Sequence, residues 1–149
     1  MTSFRGQYDH NLDAKDRLTV PARWRGPLSD GIVLVAGLDP CVEVFTPQGY
    51  EDWSQRWLAS LNRLGRKGRM MYRRFNASAS DETLDSAGRV RIAKHLAEHA
   101  GLDGPCKVVG VGDHVELWNP ERWAAHSAEL DEHAETMAEE LSGLPGAGE

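Results

Sequence analysis

The feature that most constrains the fold is a short motif that the chain carries twice, once from Leu12 to Val20 and again from Leu84 to Ile92. At an offset of 72 residues both copies read apolar-Asp-x-x-x-Arg-apolar-x-apolar, with Asp13 and Arg17 in the first and Asp85 and Arg89 in the second. The likeness continues downstream, where Val42-Glu43-Val44-Phe45-Thr46-Pro47 meets Val115-Glu116-Leu117-Trp118-Asn119-Pro120 at an offset of 73. A period this long exceeds a solenoid unit, so the chain reads as a tandem duplication of one small β-rich module. At 149 residues it can bury one core of useful size, which the two modules are expected to share.

Each copy predicts the same elements. Phe4, Gly6, Tyr8, His10 and Leu12 alternate with Arg5, Gln7, Asp9 and Asn11, the period-2 pattern of a strand with one wet face. The motif then occupies the turn of a β-hairpin. Its Asp carboxylate suits bonding to backbone N–H groups, and its fourth position, Gly88 in the second copy and Asp16 in the first, suits positive φ. Pro21 opens a short helix to about Leu28, and strands follow at 32–36 and 41–45. Thr46 and Pro47 are an N-cap and N1 pair. The helix they start is expected to place Tyr50, Trp53, Trp57, Leu61 and Leu64 on one face.

Residues 63–74 then hold six Lys or Arg and no acid, as a second helix or a basic linker. The second copy predicts a strand over 76–84, a turn at 85–88, a strand over 89–92, a helix over 93–100 stopped by Gly101, and strands at 107–111 and 114–118. A final helix carries an apolar stripe of Trp123, Ser127, Leu130, Ala134, Met137 and Leu141, and a disordered tail is expected from Ser142 onward.

Composition excludes little. The formal charge of −6 is uneven, since residues 119–149 hold one Arg against eight acids while the rest of the chain is close to neutral. The acidity therefore does not exclude nucleic acid. Cys41 and Cys106 fall at non-equivalent places and suggest small buried hydrophobes rather than a disulfide framework or a metal knuckle. The longest apolar run, 32–38, is too short to cross a bilayer, and a hydrophobic leader is lacking, so a cytoplasmic protein is expected.

For chemistry, no nucleophile with a base, carboxylate pair or phosphate loop stands out, so no enzyme and no cofactor are expected. Gly110-x-Gly112 lacks the rest of a dinucleotide fingerprint. His95 and His99, at i and i+4, could seat a metal for a hydrolase, but a third ligand is wanting. The arginines beside the turns have two readings: they close the hairpins by bonding Asp13 and Asp85, or they project outward. Arg5, Lys15, Arg17, Arg23 and Arg25 gather about the first turn and Arg89, Arg91 and Lys94 about the second. Two-stranded ribbons fit a major groove, where a guanidinium can meet guanine O6 and N7 or bridge phosphates.

The order of these motifs resembles the MraZ family of bacterial regulators. The resemblance rests on Phe4-Arg5-Gly6, the stretch from Leu12 to Arg23, Gly37-Leu38-Asp39, Leu84 to Arg89 and Val115 to Trp118, and spans residues 4 to about 130. It implies an α+β, mainly β architecture: a tandem-duplicated swapped-hairpin β-barrel of AbrB/MazE type with peripheral helices. The expected organisation is a first repeat over 4–53, a basic connecting segment over 54–75, a second repeat over 76–123 and an acidic helix and tail over 124–149. The resemblance also implies a ring-shaped homo-oligomer in the nucleoid that binds short direct repeats in double-stranded promoter DNA and represses its own operon of division and cell-wall genes. Arg17 and Lys15 would read the DNA, with Arg5, Arg23, Arg89 and Arg91 assisting. The alternative is an antitoxin-like interaction module of the same fold. The sequence departs from the family pattern at Asp16, where Gly is usual, and at Ala93, where Pro is frequent.

Overall fold

A computed structural model describes residues 3–143, and the chain divides into two compact units, Met1–Asn119 and Pro120–Glu149. The first unit is α+β. Its strands are β1 (Gln7–Asn11), β2 (Arg17–Thr19), β3 (Ile32–Ala36), β4 (Cys41–Phe45), β5 (Ser80–Glu82), β6 (Arg89–Arg91), β7 (Pro105–Gly110) and β8 (Val115–Trp118). Its helices are α1 (Ala22–Arg25), α2 (Pro47–Trp53), α3 (Arg66–Ser78) and α4 (Lys94–Ala100). The second unit is α5 (Pro120–Ser142). The tail expected beyond Ser142 lies almost wholly outside the described residues.

Pairing, rather than the elements, carries the duplication into three dimensions. Six strands form one antiparallel sheet in the order β1-β7-β8-β4-β3-β5, and β2 and β6 form a separate two-stranded ribbon. The first strand of each copy pairs with the third strand of the other, β1 with β7 and β5 with β3. Equivalent strands meet across the duplication: β4 with β8, placing Glu43 opposite Glu116, and β2 with β6, placing Leu18 opposite Val90. The copies are thus related by a local two-fold, because each of these pairs joins a residue to its own equivalent.

The expected hairpin is therefore a turn without hairpin arms. Asp13 N–H bonds the Arg17 carbonyl (2.9 Å) and a single bridge joins Leu12 to Leu18, but β2 then leaves β1 to pair with β6. The two turns are stitched to the opposite copy by Val20 N–H to the Gly88 carbonyl (2.9 Å) and Ile92 N–H to the Asp16 carbonyl (2.8 Å).

One core lies on the inner side of sheet and ribbon. Leu18, Val20, Trp24, Leu34, Val42, Val90, Leu96, Val108 and Leu117 are all buried in it, contributed by both copies. Phe4 and Tyr8 pack edge-on against Trp24 at 5.5 and 5.1 Å. A smaller cluster of Val33, Val35 and Phe45 lies on the other face, covered by Tyr50 and Trp53 of α2.

Two further expectations are corrected. α2 begins as predicted, with the Thr46 hydroxyl accepting from Gly49 N–H at 2.9 Å, but it passes into a π-helical turn over Ser54–Leu58. The extra residue in that turn turns Leu58 inward and Trp57 outward, 56 % exposed, and the helix ends there, so Leu61 and Leu64 lie in non-helical turns and Leu64 is 92 % exposed. The strand expected over 76–84 is reduced to β5, because α3 runs on to Ser78 and so seats Phe75 against Trp53, centroids 5.0 Å apart.

Candidate nucleic-acid interface

The two Asp-x-x-x-Arg turns have the same geometry. Asp13 Oδ1 accepts from the N–H groups of Lys15 (2.9 Å) and Arg17 (3.0 Å), and its Oδ2 accepts from Arg17 Nε (2.8 Å). Asp85 Oδ1 accepts from Ala87 and Arg89 N–H, each at 2.9 Å, and its Oδ2 from Arg89 Nε at 2.8 Å. The Arg17 and Arg89 backbone N–H groups respectively, followed by the side-chain and other turn bonds, hold both carboxyls below the usual carboxylate range. The fourth position is left-handed in both copies, φ 58° at Asp16 and 76° at Gly88.

Each Asp thus engages the Nε edge of its Arg, and among the described residues the Nη groups of Arg17 and Arg89 make no hydrogen bond. The side chains are 29 and 33 % exposed. The turn-closing reading of these arginines holds at Nε, and a guanidinium has further donors on its outer edge. The bond at Nε fixes the direction of each side chain.

The ribbon brings the two arginines together. Arg17 pairs with Arg91 and Thr19 with Arg89, on the face opposite the buried Leu18 and Val90. Exposed Lys15 sits in the first turn, and exposed Arg23 lies on α1 directly after β2. Arg25, grouped by sequence with the first turn, crosses to the second: its Nε donates to the Val20 carbonyl at 2.9 Å, and a Cβ on Gly88 would come within 2.4 Å of it. Arg5 is not brought together with these. It lies before β1, beside Gly110, at the opposite end of that strand from Asn11 and the first turn. Lys94, on α4, is exposed and lies 3.9 Å from Glu98.

His95 and His99 do not converge. Their Nε2 atoms bond main-chain carbonyls, His95 that of Ser78 at 2.9 Å and His99 those of Gly37 and Asp39 at 3.0 and 3.2 Å.

Sequence reasoning missed a polar group on the outer face of the sheet. His114 Nε2 lies 3.0 Å from Glu116 and 3.9 Å from Glu43, its Nδ1 lies 2.6 Å from Asp113, and its ring stacks on Phe45. Burial pulls the imidazole pKa down, but the bonds to Glu116 and Asp113 and the charge of Glu43 outweigh it and raise it to about 9. Burial raises Glu43, opposed by the charge of His114. The signal was present in the repeat: Glu43 and Glu116 are equivalent residues, and a two-fold places equivalents face to face. Cys41 joins this pair within 4.8 Å. Burial raises its thiol pKa far above the ordinary range, and both Glu116 oxygens are already bonded, to His114 and to the Trp118 indole N–H.

The described residues from 3 to 73 and from 75 to 142 each match the family described as "MraZ protein, putative antitoxin-like". The chain belongs to the MraZ family. Curated relatives named transcriptional regulator MraZ include those of Lactobacillus johnsonii and Roseiflexus castenholzii, each 36% identical and covering 95% of this chain and 98% of the relative. That of Lachnoclostridium phytofermentans is 38% identical over 91% of this chain and 96% of its own length. The two MraZ matches divide the chain between the two copies of the motif, and Asp13, Arg17, Asp85 and Arg89 all fall within them. Among the described residues no helix is long and apolar enough to cross a membrane.

Proposed function

We propose that this MraZ-family chain is a sequence-specific DNA-binding transcriptional regulator that acts by occupying a promoter, with no chemistry and no cofactor. The β2–β6 ribbon carries the reading: buried Leu18 and Val90 hold it to the core while Arg17, Arg89 and Arg91 line its other side. A ribbon of this width enters a major groove, and an Arg held at Nε by Asp offers its outer edge to guanine or phosphate. Lys15 and Arg23 add phosphate contacts beside the ribbon, and Arg5, at the far end of β1, neutralises backbone further along the duplex. The relatives' name points the same way.

In this reading the sheet and ribbon close into a swapped-hairpin barrel, several copies assemble as a ring in the cytoplasm, and each holds one of a set of short direct repeats upstream of its own operon. Linked copies convert modest contacts into tight binding, and occupancy represses transcription of division and cell-wall genes. Arg17→Ala is expected to abolish specific retardation of the upstream DNA in a gel shift while gel filtration shows the same assembly; unchanged retardation sinks the site assignment. Arg89→Ala is expected to weaken binding less, because Ala87 stands where the first turn has Lys15.

A second reading, an antitoxin-like module, draws on the family's description and on the exposed Leu130 and Leu141 of α5. A toxin gene beside this one, and its product co-purifying with the chain, would favour it over the regulator.

A further inference from the structure

We propose that the acidic far half of α5 docks on α3 of a second copy, joining neighbouring chains through a mixed-charge helix pair. This refines, and rests on, the self-assembly proposed above. Leu130, Ala134, Met137 and Leu141 recur at spacings of four, three and four, the seam of a heptad. α5 has no buried residue, and Leu130 and Leu141 are 42 and 63 % exposed. A seam this regular gains its stability from a partner.

Charge selects the partner. Residues 129–141 hold six acids and no Lys or Arg, so two α5 helices would set like charges face to face. Residues 63–74 hold six cations and no acid. Spacing selects the same surface. On α3 the outward-facing Arg66, Met70, Arg73 and Ala77 also recur at four, three and four, and Met70 is 47 % exposed. α3 and residues 129–141 are each thirteen residues, about 20 Å of helix. A phosphate backbone gains nothing from an apolar residue set among cations, whereas an apolar seam flanked by acids meets both.

Some of the cations in this segment already have structural work. Arg74 donates to the carbonyls of Ala36 and Gly37, Arg69 to those of Arg63 and Leu64, and Arg63 lies over the Tyr72 ring at 4.3 Å. These contacts fix the start and the seating of α3, and they leave Arg66, Lys67 and Arg73 with Met70 as the outward surface. Met70 on α3 and Leu130 and Leu141 on α5 are the exposed apolar side chains that this pairing between copies would cover.

The test is disulfide trapping between full-length chains, for which the buried Cys41 and Cys106 form a quiet background. Met70→Cys chains are mixed with Met137→Cys chains, which would meet in an antiparallel pair, or with Ala134→Cys chains, which would meet in a parallel one. The expected result is at least tenfold more crosslinked dimer in one mixture than in any variant alone, lost on adding Arg66→Glu/Arg73→Glu to the Met70→Cys chain. A Met137→Cys chain that crosslinks to itself, or a Met70→Cys/Met137→Cys chain that closes only internally, overturns the proposal. Wild-type assembly by sedimentation with no crosslink in either mixture overturns the docking but leaves the assembly. A wild-type monomer overturns both.

Discussion

At the scale of the residue, Asp16 and Gly88 show how one backbone requirement is met in two ways. Both stand in left-handed conformation at the same place in the turn. Gly88 is buried beneath Arg25, whereas Asp16 is exposed, and the position equivalent to Arg25 is Ala97, which is too short to crowd it. Asp tolerates this conformation at a cost of about 1 kcal/mol relative to Gly. Asp16→Gly is therefore expected to raise the melting temperature by about 2–4 °C, and to tighten DNA binding by removing a carboxylate beside Arg17. Gly88→Ala is expected to lower it, since the new Cβ meets Arg25 as well as the unfavourable φ. His114 makes a pH prediction. Its folded pKa, about 9, lies above the ordinary 6.5, so its stabilisation is complete below 6.5 and is lost as pH rises through about 9. Urea midpoints measured from pH 6 to 10 should fall in the wild type and fall less in His114→Gln. The depressed pKa values of Asp13 and Asp85 act oppositely: their stabilisation holds above the ordinary 3.8 and is lost as pH falls below it.

At the scale of the element, the strands at 32–36 and 41–45, the Thr46 cap and the Gly101 stop were legible because each is a local signal: short β-branched apolar runs bounded by a Gly-Pro turn, a hydroxyl before proline, a glycine free to take φ 65°. The partners of the strands were not. A turn such as 13–16 looks alike whether its arms pair with each other or with another copy, and only long-range packing of Leu18 against Val90 decides it. The π turn at 54–58 was equally hidden, since Trp57 and Leu58 are both apolar and the pattern cannot say which faces inward. An Asp at the start of a turn announces its bonds to backbone N–H groups, but which edge of each Arg it holds is set by side-chain geometry that the sequence does not carry. Leu18→Ala should cost about 2–5 kcal/mol, seen as a lower denaturant midpoint. It should also weaken DNA binding beyond the loss of folded protein, because the ribbon that carries Arg17 loses its anchor.

At the scale of the whole molecule, charge is segregated: the ribbon and α3 are cationic and α5 is acidic, within a chain of formal charge −6. Net charge would have misled, and the placement of the cations is what supports a nucleic-acid partner. In the proposed function, the cross-paired ribbon offers Arg17 and Arg89 to DNA. The most direct measurement is the salt dependence of affinity for the upstream DNA, compared between wild type and Arg17→Ala/Arg89→Ala by fluorescence anisotropy, with circular dichroism confirming the fold. Specific affinity should fall at least tenfold, with a shallower dependence of log affinity on log salt as phosphate and base contacts are lost. A folded double variant with wild-type affinity and wild-type slope would contradict it.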